Sequence, residues 1–284
     1  MLWCVAGAVA GASACTKPDA APSTGGGATT AVVGPSSTGD WPAALGALLV
    51  VPSDTEDQAV VLFPVGSEPA PFSGARLALL GPSGDTVRAW AGVSASDSLH
   101  CGDAPVVRLT RAAAPVWSLG IESRQAIPVR SDSMEQISAA DSAFYAAEMA
   151  RLASAVASGQ TSRFTGLVFT LTALRRTRVA GREVVAAQLV RRVNQEADPA
   201  EEHTLVVAER DAGRPRAAFA ATHTDRSEGS EDSAEHYDVI ATMRVSGATL
   251  FIVSRDQPSG TTFEILERTE AGVWHLRWTR TIAC

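Results

Sequence analysis

Residues 164–193, FTGLVFTLTALRRTRVAGREVVAAQLVRRV, contain the clearest hairpin pattern in the chain and decide its fold. Two runs rich in branched apolar residues are separated by Val179-Ala180-Gly181, where glycine permits the tight reversal that a hairpin needs. The segment therefore predicts two antiparallel strands joined by a short turn.

The same alternation of strand and turn continues to the end of the chain. Further reversals are predicted at residues 211–213, 257–260 and 270–272, each of which contains a glycine. We expect eight strands over residues 160–284, arranged as an antiparallel meander that forms a curved sheet or a barrel. In the last strand, period-two alternation predicts that Trp274, Leu276 and Trp278 share one face. We expect the two tryptophans to belong to the core; the alternative is a stacking floor for a ligand such as a glycan.

The segment that precedes the meander has the pattern of a helix. Residues 131–159 are rich in alanine, lack proline and end at a glycine, and Asp132 and Glu135 have the spacing of a capping box. One amphipathic helix is predicted, with an apolar stripe that covers a sheet. The residues of this stripe, at helical spacing, are Tyr145, Met149, Leu152 and Val156.

Residues 41–130 form a separate region of short apolar runs bounded by proline, glycine, serine and aspartate. This pattern predicts an N-terminal lobe of short strands. The fold class expected for the whole chain is therefore mainly β with one long α-helix (α+β). Its order is an N-terminal β lobe, a connecting helix and an eight-stranded C-terminal meander.

The first fourteen residues contain no charged side chain and are too few to span a bilayer, which indicates a signal peptide over residues 1–14. They lead into Ala12-Ser13-Ala14-Cys15, which resembles the lipobox of bacterial lipoproteins. In that family the cysteine is lipidated and becomes the mature N-terminus, so the resemblance implies a lipid on Cys15. The alternative is ordinary cleavage and secretion, because Ala12 and Ala14 also fit a small-x-small cleavage site.

Residues 15–40 are rich in alanine, glycine, serine, threonine and proline, and contain few large apolar side chains. Such a segment cannot bury enough surface to fold, so it predicts a disordered tether. A lipid on Cys15 would then hold the folded part near a membrane. The expected location is the bacterial cell envelope, facing the periplasm or the exterior.

The four cysteines carry information about the compartment. Cys4 lies in the signal peptide and Cys15 is the lipidation candidate, which leaves Cys101 and Cys284. Two such cysteines in an exported protein favour a disulfide bond. The alternatives are two free thiols or a metal pair, but neither cysteine has a Cys or His at the short spacing of zinc sites.

Charge and lysine content narrow the classes of function. The net charge of -7 disfavours nucleic-acid binding, which needs a basic surface. Lys17 is the only lysine, so the folded part lacks a lysine for a phosphate-binding loop, a Ser-x-x-Lys nucleophile or a Schiff base. No cofactor is expected, and no motif favours an enzyme, although triads can be assembled from residues distant in sequence.

A candidate metal site lies in the segment HTDRSEGSEDSAEHYD, residues 223–238. If the two flanking strands pair about this Ser- and Glu-rich tip, His223 faces His236, and Asp225 lies on the same side. Two imidazoles and a carboxylate can bind a zinc-like ion. The alternative is a hairpin tip whose histidines are solvated neighbours.

The first hairpin of the meander also carries a group of arginines that is a candidate anion-binding site. Guanidinium groups near one turn can bind lipid head groups or a sugar acid. The alternative is a solvated turn whose charges are balanced by nearby carboxylates. The four arginines are Arg175, Arg176, Arg178 and Arg182.

These features lead to three functional hypotheses. The first is a lipid-anchored envelope protein without enzymatic activity, which binds or positions an envelope protein or glycan. The second is an envelope hydrolase with a spatially assembled site. The third is a carrier of small apolar ligands, which requires the meander to close around a cavity.

Overall fold

The computed structural model describes most of the chain after residue 36. The described residues are 37–53, 55, 57–65, 72–81, 85–93, 100–101, 104–111, 116–122, 125–158, 162–193, 200–210, 212–225, 236–257 and 260–283.

These residues form eighteen β-strands and one α-helix, α1 (Ala139–Ala157). The N-terminal strands are β1 (Ser37–Gly39), β2 (Leu49–Pro52), β3 (Gln58–Phe63), β4 (Arg76–Leu80), β5 (Thr86–Val93), β6 (His100–Cys101), β7 (Ala104–Arg111), β8 (Leu119–Ile121), β9 (Ile127–Pro128) and β10 (Ser131–Ser133). The strands after the helix are β11 (Thr170–Val179), β12 (Arg182–Val193), β13 (Ala200–Arg210), β14 (Arg216–Asp225), β15 (His236–Val245), β16 (Ala248–Gln257), β17 (Gly260–Arg268) and β18 (Trp274–Ile282).

The N-terminal lobe is a closed six-stranded barrel. Its strands follow the order β3-β2-β8-β4-β5-β7, and pairing of β3 with β7 closes the ring. Apolar side chains fill its interior, among them Val50, Leu79 and Trp117. Packing is so tight that a methyl group added at Gly120 would lie 2.6 Å from Val50 Cγ2 and 2.8 Å from Leu79 Cδ2.

The eight strands after the helix follow one another as predicted, but they form two sheets instead of one curved sheet or barrel. Strands β11 to β14 make one meander with β10 at its edge. Strands β15 to β18 make a second meander, which β1 and β9 extend. The division falls between β14 and β15, and the burial of strands β12 and β16 is consistent with two separate covered sheets. Both strands are almost continuously buried, as expected for strands covered on both faces.

Four clusters of buried apolar residues show that the elements are stacked in layers. Helix α1 covers one face of the first meander, and the other face of that meander packs against the second. The remaining face of the second meander packs against the outer wall of the barrel. Each C-terminal sheet is thus sandwiched between two layers.

Helix α1 begins later than the sequence pattern suggested. Residues Ser131–Ser133 pair with β11 as β10, and the capping box joins Ser133 and Gln136 in a short 3-10 helix, not Asp132 and Glu135. The helix itself starts after Ser138, whose hydroxyl accepts a hydrogen bond from the backbone N–H of Asp141 at 3.1 Å.

The predicted apolar stripe of α1 is largely confirmed. Tyr145, Met149 and Leu152 are buried against the first meander, whereas Val156 remains 39% exposed near the C-terminal end of the helix. None of the helices formed by the described residues combines the length and apolar character required to cross a bilayer.

Trp274 and Trp278 both belong to the core as predicted, but they lie on opposite faces of the second meander. The pairing of β17 with β18 shifts register between Ile265 and Leu266, so Ile265 faces Trp278 and Leu266 faces Leu276. Such a β-bulge reverses the alternation of side chains along a strand. Trp274 therefore packs between the two meanders, and Trp278 packs against the barrel.

Candidate functional site

The cysteine side chains of the lipidation and disulfide predictions lie outside the described part of the chain. Cys15 and Cys284 are outside the described residues, and the description of Cys101 is confined to its backbone. Both modifications therefore stay predictions.

The histidines of the predicted metal site are not hairpin partners. His223 on β14 pairs with His203 on β13, while His236 begins β15 in the other sheet. The side chain of Asp225 lies outside the described residues. Over the side chains that are described, no group of three or more His, Cys, Asp or Glu is placed to hold a metal ion.

These histidines instead border a polar region at one end of the space between the two meanders. The amide of buried Gln188, oriented to satisfy both of its ends, donates to His236 Nδ1 and to the carbonyl of Tyr237, each at 3.0 Å. Its oxygen accepts from the backbone N–H of Tyr237 at 3.1 Å. Gln188 therefore links the first meander to the first strand of the second.

Burial shifts the pKa values of two groups in or near this region, His223 and Glu264. Burial, the positive charge of Arg255 and the neighbouring His203 together lower the pKa of His223 from 6.5 to about 4, and burial contributes most. Burial also raises the pKa of Glu264, against the opposing effect of Arg255. His223 is consequently neutral in the folded protein at neutral pH.

Three of the four arginines predicted to bind anions are already paired with carboxylates. Arg175 lies 3.4 Å from Asp238, and Arg182 lies 3.4 Å from Glu209. Arg176 contacts two carboxylates, those of Asp132 at 3.3 Å and Asp141 at 3.2 Å. For these three residues the charge-balance alternative describes the structure.

Arg178 differs from its neighbours because it is exposed and lines a groove. The groove has a volume of about 800 Å³ and lies beside two hairpin turns, one from each meander. The β11–β12 turn has Ala180 and Gly181 at positive φ, and the β15–β16 turn has Ser246 and Gly247 at positive φ. Positive φ at both central residues is typical of the type I′ turns that join two-residue hairpins.

Three exposed arginines line this groove: Arg130, Arg178 and Arg244. Thr177 donates to the carbonyl of Arg130 at 2.9 Å, which fixes the chain before β10 beside β11. Arg244 pairs with Ile127 of β9. Arg130 therefore lies in the connection between β9, which pairs with the strand of Arg244, and β10, which pairs with the strand of Arg178.

The carboxylates near the groove neutralise only part of this charge. Arg130 lies 3.6 Å from Asp132, and Glu270 also lines the groove. Within the described residues, neither Arg178 nor Arg244 forms an ion pair. The fourth arginine of the lining, Arg268, is buried and bound to Glu209.

Sequence reasoning identified Arg178 but missed Arg130 and Arg244. A signal for Arg244 was present, because Arg178-Val179-Ala180-Gly181 recurs as Arg244-Val245-Ser246-Gly247. Both segments place arginine two residues before the centre of a type I′ turn. Arg130 carries no such signal, since its position depends on pairing between β10 and β11.

No protein-family profile matches this chain, and no curated protein and no solved structure was found to be similar to it. The chemistry of the groove must therefore be inferred from its residues. Guanidinium groups bind carboxylate and phosphate oxygens through paired hydrogen bonds and keep their charge at any physiological pH.

Proposed function

We propose that this protein is a lipid-anchored component of the bacterial cell envelope that binds an anionic envelope molecule in the groove of Arg130, Arg178 and Arg244. The observation that carries the proposal is the grouping of three exposed arginines around one groove of about 800 Å³. That volume is within the range of small-molecule sites. No catalytic step is part of the proposal.

The overall charge of the protein makes this grouping informative. A chain with a net charge of -7 repels anions over most of its surface, so binding requires a local reversal of sign. The groove supplies that reversal where the two meanders and strands β9 and β10 meet.

The rigidity of the surrounding structure also favours binding. Arg178 and Arg244 each lie in a strand next to a two-residue turn, and the backbones of both strands are hydrogen bonded to neighbours. Guanidinium groups held on strands lose less freedom on binding than the same groups on a long loop.

The packing of the C-terminal strands does not supply what the carrier hypothesis needs. A carrier would require the meander to enclose a cavity, whereas the facing surfaces of the two sheets contribute buried side chains to one shared cluster. The hydrolase hypothesis requires an assembled group of catalytic side chains. The ionisable side chains that line the arginine groove are arginines and Glu270, so this groove does not favour that hypothesis.

Titration calorimetry with inorganic tripolyphosphate tests the binding site. The double variant Arg178→Gln/Arg244→Gln should weaken binding at least tenfold, because two guanidinium partners are lost. Arg214→Gln/Arg216→Gln is the matched control, since it removes two exposed charges from the region of the β13–β14 turn and should change affinity less than twofold. Equal losses in the two double variants would reject the groove as the site.

The anchor is tested separately by the intact mass of protein extracted from membranes. A lipid adduct on Cys15, in a chain that begins at that residue, is the expected result. A mature chain with an unmodified Cys15 would reject the anchor and leave the binding groove untouched.

A further inference from the structure

The outer wall of the barrel carries a second groove that adjoins the first. It has a volume of about 610 Å³ and is formed mainly by β4, β5 and the chain after β8. Pro128 of β9 lines both grooves, so the two adjoin at this residue. The lining of both grooves indicates the class of ligand that would occupy them, and this inference rests on the proposed function.

Trp90 is the distinctive side chain of the second groove. It is 44% exposed, although tryptophan is usually covered in a folded protein. It lies on β5 directly opposite Arg76 of β4, and Arg88 lies two residues before it on the same face. An exposed indole is thus placed between two arginines.

Neither arginine is neutralised locally. Both are exposed, and within the part of the chain that the structure describes neither Arg76 nor Arg88 forms an ion pair. The carboxylate in the lining is Glu122, which accepts a hydrogen bond from the backbone N–H of Ala47 at 3.2 Å. One oxygen of Glu122 is thus engaged by the chain before β2, while Arg76 and Arg88 place positive charge beside Trp90.

The floor of the second groove is apolar. It includes Ala78, Leu80, Ile121 and Pro128. Ala78 lies opposite Arg88, so a small side chain leaves open space beside a long one. The groove therefore offers a flat aromatic surface and an apolar floor, with positive charge at the rim.

These surfaces together favour the binding of a ligand ring that has an apolar face and an acidic substituent. A sugar ring exposes such a face through its C–H groups, and burying it on an indole removes apolar surface from water. A carboxylate on that ring can bind the adjacent guanidinium groups. A simple phosphate chain can form ion pairs with the arginines, but it has no apolar face that could stack on Trp90.

We propose that Trp90, Arg76 and Arg88 form a subsite for the acidic sugar ring of an anionic glycan, whose chain continues past Pro128 into the arginine groove. Arg130, Arg178 and Arg244 bind the acidic groups of the following units. The ligand class is therefore a polyuronate or a similar acidic polysaccharide of the envelope.

Calorimetry with octagalacturonate, with a neutral maltooctaose and with inorganic tripolyphosphate tests the subsite in the full chain. Trp90→Ala should weaken octagalacturonate binding about tenfold, because the ring loses its stacking surface. The same variant should leave tripolyphosphate binding within twofold of wild type. Maltooctaose should bind at least tenfold more weakly than octagalacturonate, because it has no acidic groups.

Two further variants guard against a purely structural effect. Trp90→Phe keeps an aromatic face and should retain affinity within about threefold. Leu276→Ala removes a side chain that is 45% exposed on β18 and lies outside the groove lining. It should leave the affinity for both octagalacturonate and tripolyphosphate unchanged. Equal loss of both ligands in Trp90→Ala, or no loss of octagalacturonate binding, would overturn the subsite.

The two proposals fail in different ways. If tripolyphosphate binding depends on Arg178 and Arg244 but octagalacturonate binding is insensitive to Trp90, the anion groove stands and the glycan subsite is rejected. If wild-type protein binds neither ligand, both are rejected. If octagalacturonate binding depends on Trp90 while Arg178→Gln/Arg244→Gln has no effect on either ligand, the subsite stands alone.

Discussion

The interior of the barrel and the space between the two meanders are both buried, yet they differ in chemistry. Among the described residues, the buried side chains that fill the barrel interior are apolar. The inter-sheet space has an apolar centre with polar groups at both ends, Gln188 and His203 at one and Glu209 and Arg268 at the other. Buried polar groups are costly unless they are paired, so their presence in only one of these interiors needs a reason.

The difference in strand pairing supplies that reason. In the barrel, a closed ladder of backbone hydrogen bonds already fixes how each strand lies against the next. Over the described residues, β14 and β15 do not pair, so the two meanders meet face to face through side-chain contacts. Side-chain bonds such as Arg268 to Glu209 and Gln188 to Tyr237 fix one arrangement.

The largest effect is expected at Glu209, which lies in the first meander and binds two residues of the second. Its Oε1 accepts from Arg268 Nε and from Trp274 Nε1, each at 2.6 Å, and its Oε2 accepts from Arg268 at 3.1 Å. Burial raises the pKa of Glu209, but these hydrogen bonds outweigh it and hold the pKa below its ordinary value. Glu209→Ala should lower the free energy of unfolding by about 4 kcal/mol, because Arg268 would remain buried without its carboxylate.

Urea denaturation monitored by circular dichroism measures this loss. Arg182→Gln is the control, since Arg182 contacts the same carboxylate from a side chain that is 46% exposed, and it should cost less than about 1 kcal/mol. Similar losses in Glu209→Ala and Arg182→Gln would show that the buried pair does not hold the sheets together.

A somewhat smaller loss is expected from a cavity in the barrel. Leu79 is 1% exposed and belongs to the interior cluster. Leu79→Ala should cost about 3 kcal/mol, because the closed ring cannot collapse around the void. Chemical denaturation measures it, and a cost below about 1 kcal/mol would mean that the barrel interior is loosely packed.

Gly120 tests the same packing from the opposite direction. A methyl group there would meet Val50 and Leu79, so Gly120→Ala should cost about 2 kcal/mol through overpacking. In the double variant Gly120→Ala/Leu79→Ala, the new methyl group occupies part of the void. The combined loss should therefore be smaller than the sum of the single losses, and strict additivity would contradict the contact.

The contrast between the two interiors also marks what the sequence could reveal. The β11–β12 hairpin was predictable because Ala180-Gly181 provides the turn, and α1 was predictable from the spacing of Tyr145, Met149 and Leu152. Local patterns of this kind do not indicate which sheet a strand joins, so the division between β14 and β15 was missed.

The candidate site was predictable to an even smaller extent. Arg175 finds its carboxylate 63 positions away on Asp238, and such a pair leaves no local trace in the sequence. The groove likewise combines Arg130, Arg178 and Arg244 from three separate segments. Only the recurring Arg-Val-x-Gly pattern connects two of them, and its meaning depends on the meanders packing face to face.

The smallest expected effect depends on pH and separates the polar interior from the apolar one. Because the pKa of His223 falls from 6.5 to about 4 on folding, the unfolded chain binds the proton first as the pH falls. Stability should therefore be lost between about pH 6.5 and pH 4, and fully present above that window. The half-buried ring is partly screened by solvent, so the expected loss is about 1–2 kcal/mol.

Urea denaturation of wild type and His223→Gln at several pH values between 4 and 7 measures this dependence. The variant should lose the part of the pH dependence that His223 contributes, while His275→Gln, on β18 and outside the polar region, should keep it. Leu79→Ala lowers stability without adding a titrating group, so its curve should run parallel to that of wild type over the same range. A pH dependence unchanged in His223→Gln would mean that the polar end of the inter-sheet space is open to water, and the contrast with the barrel would then be confined to the Glu209 end.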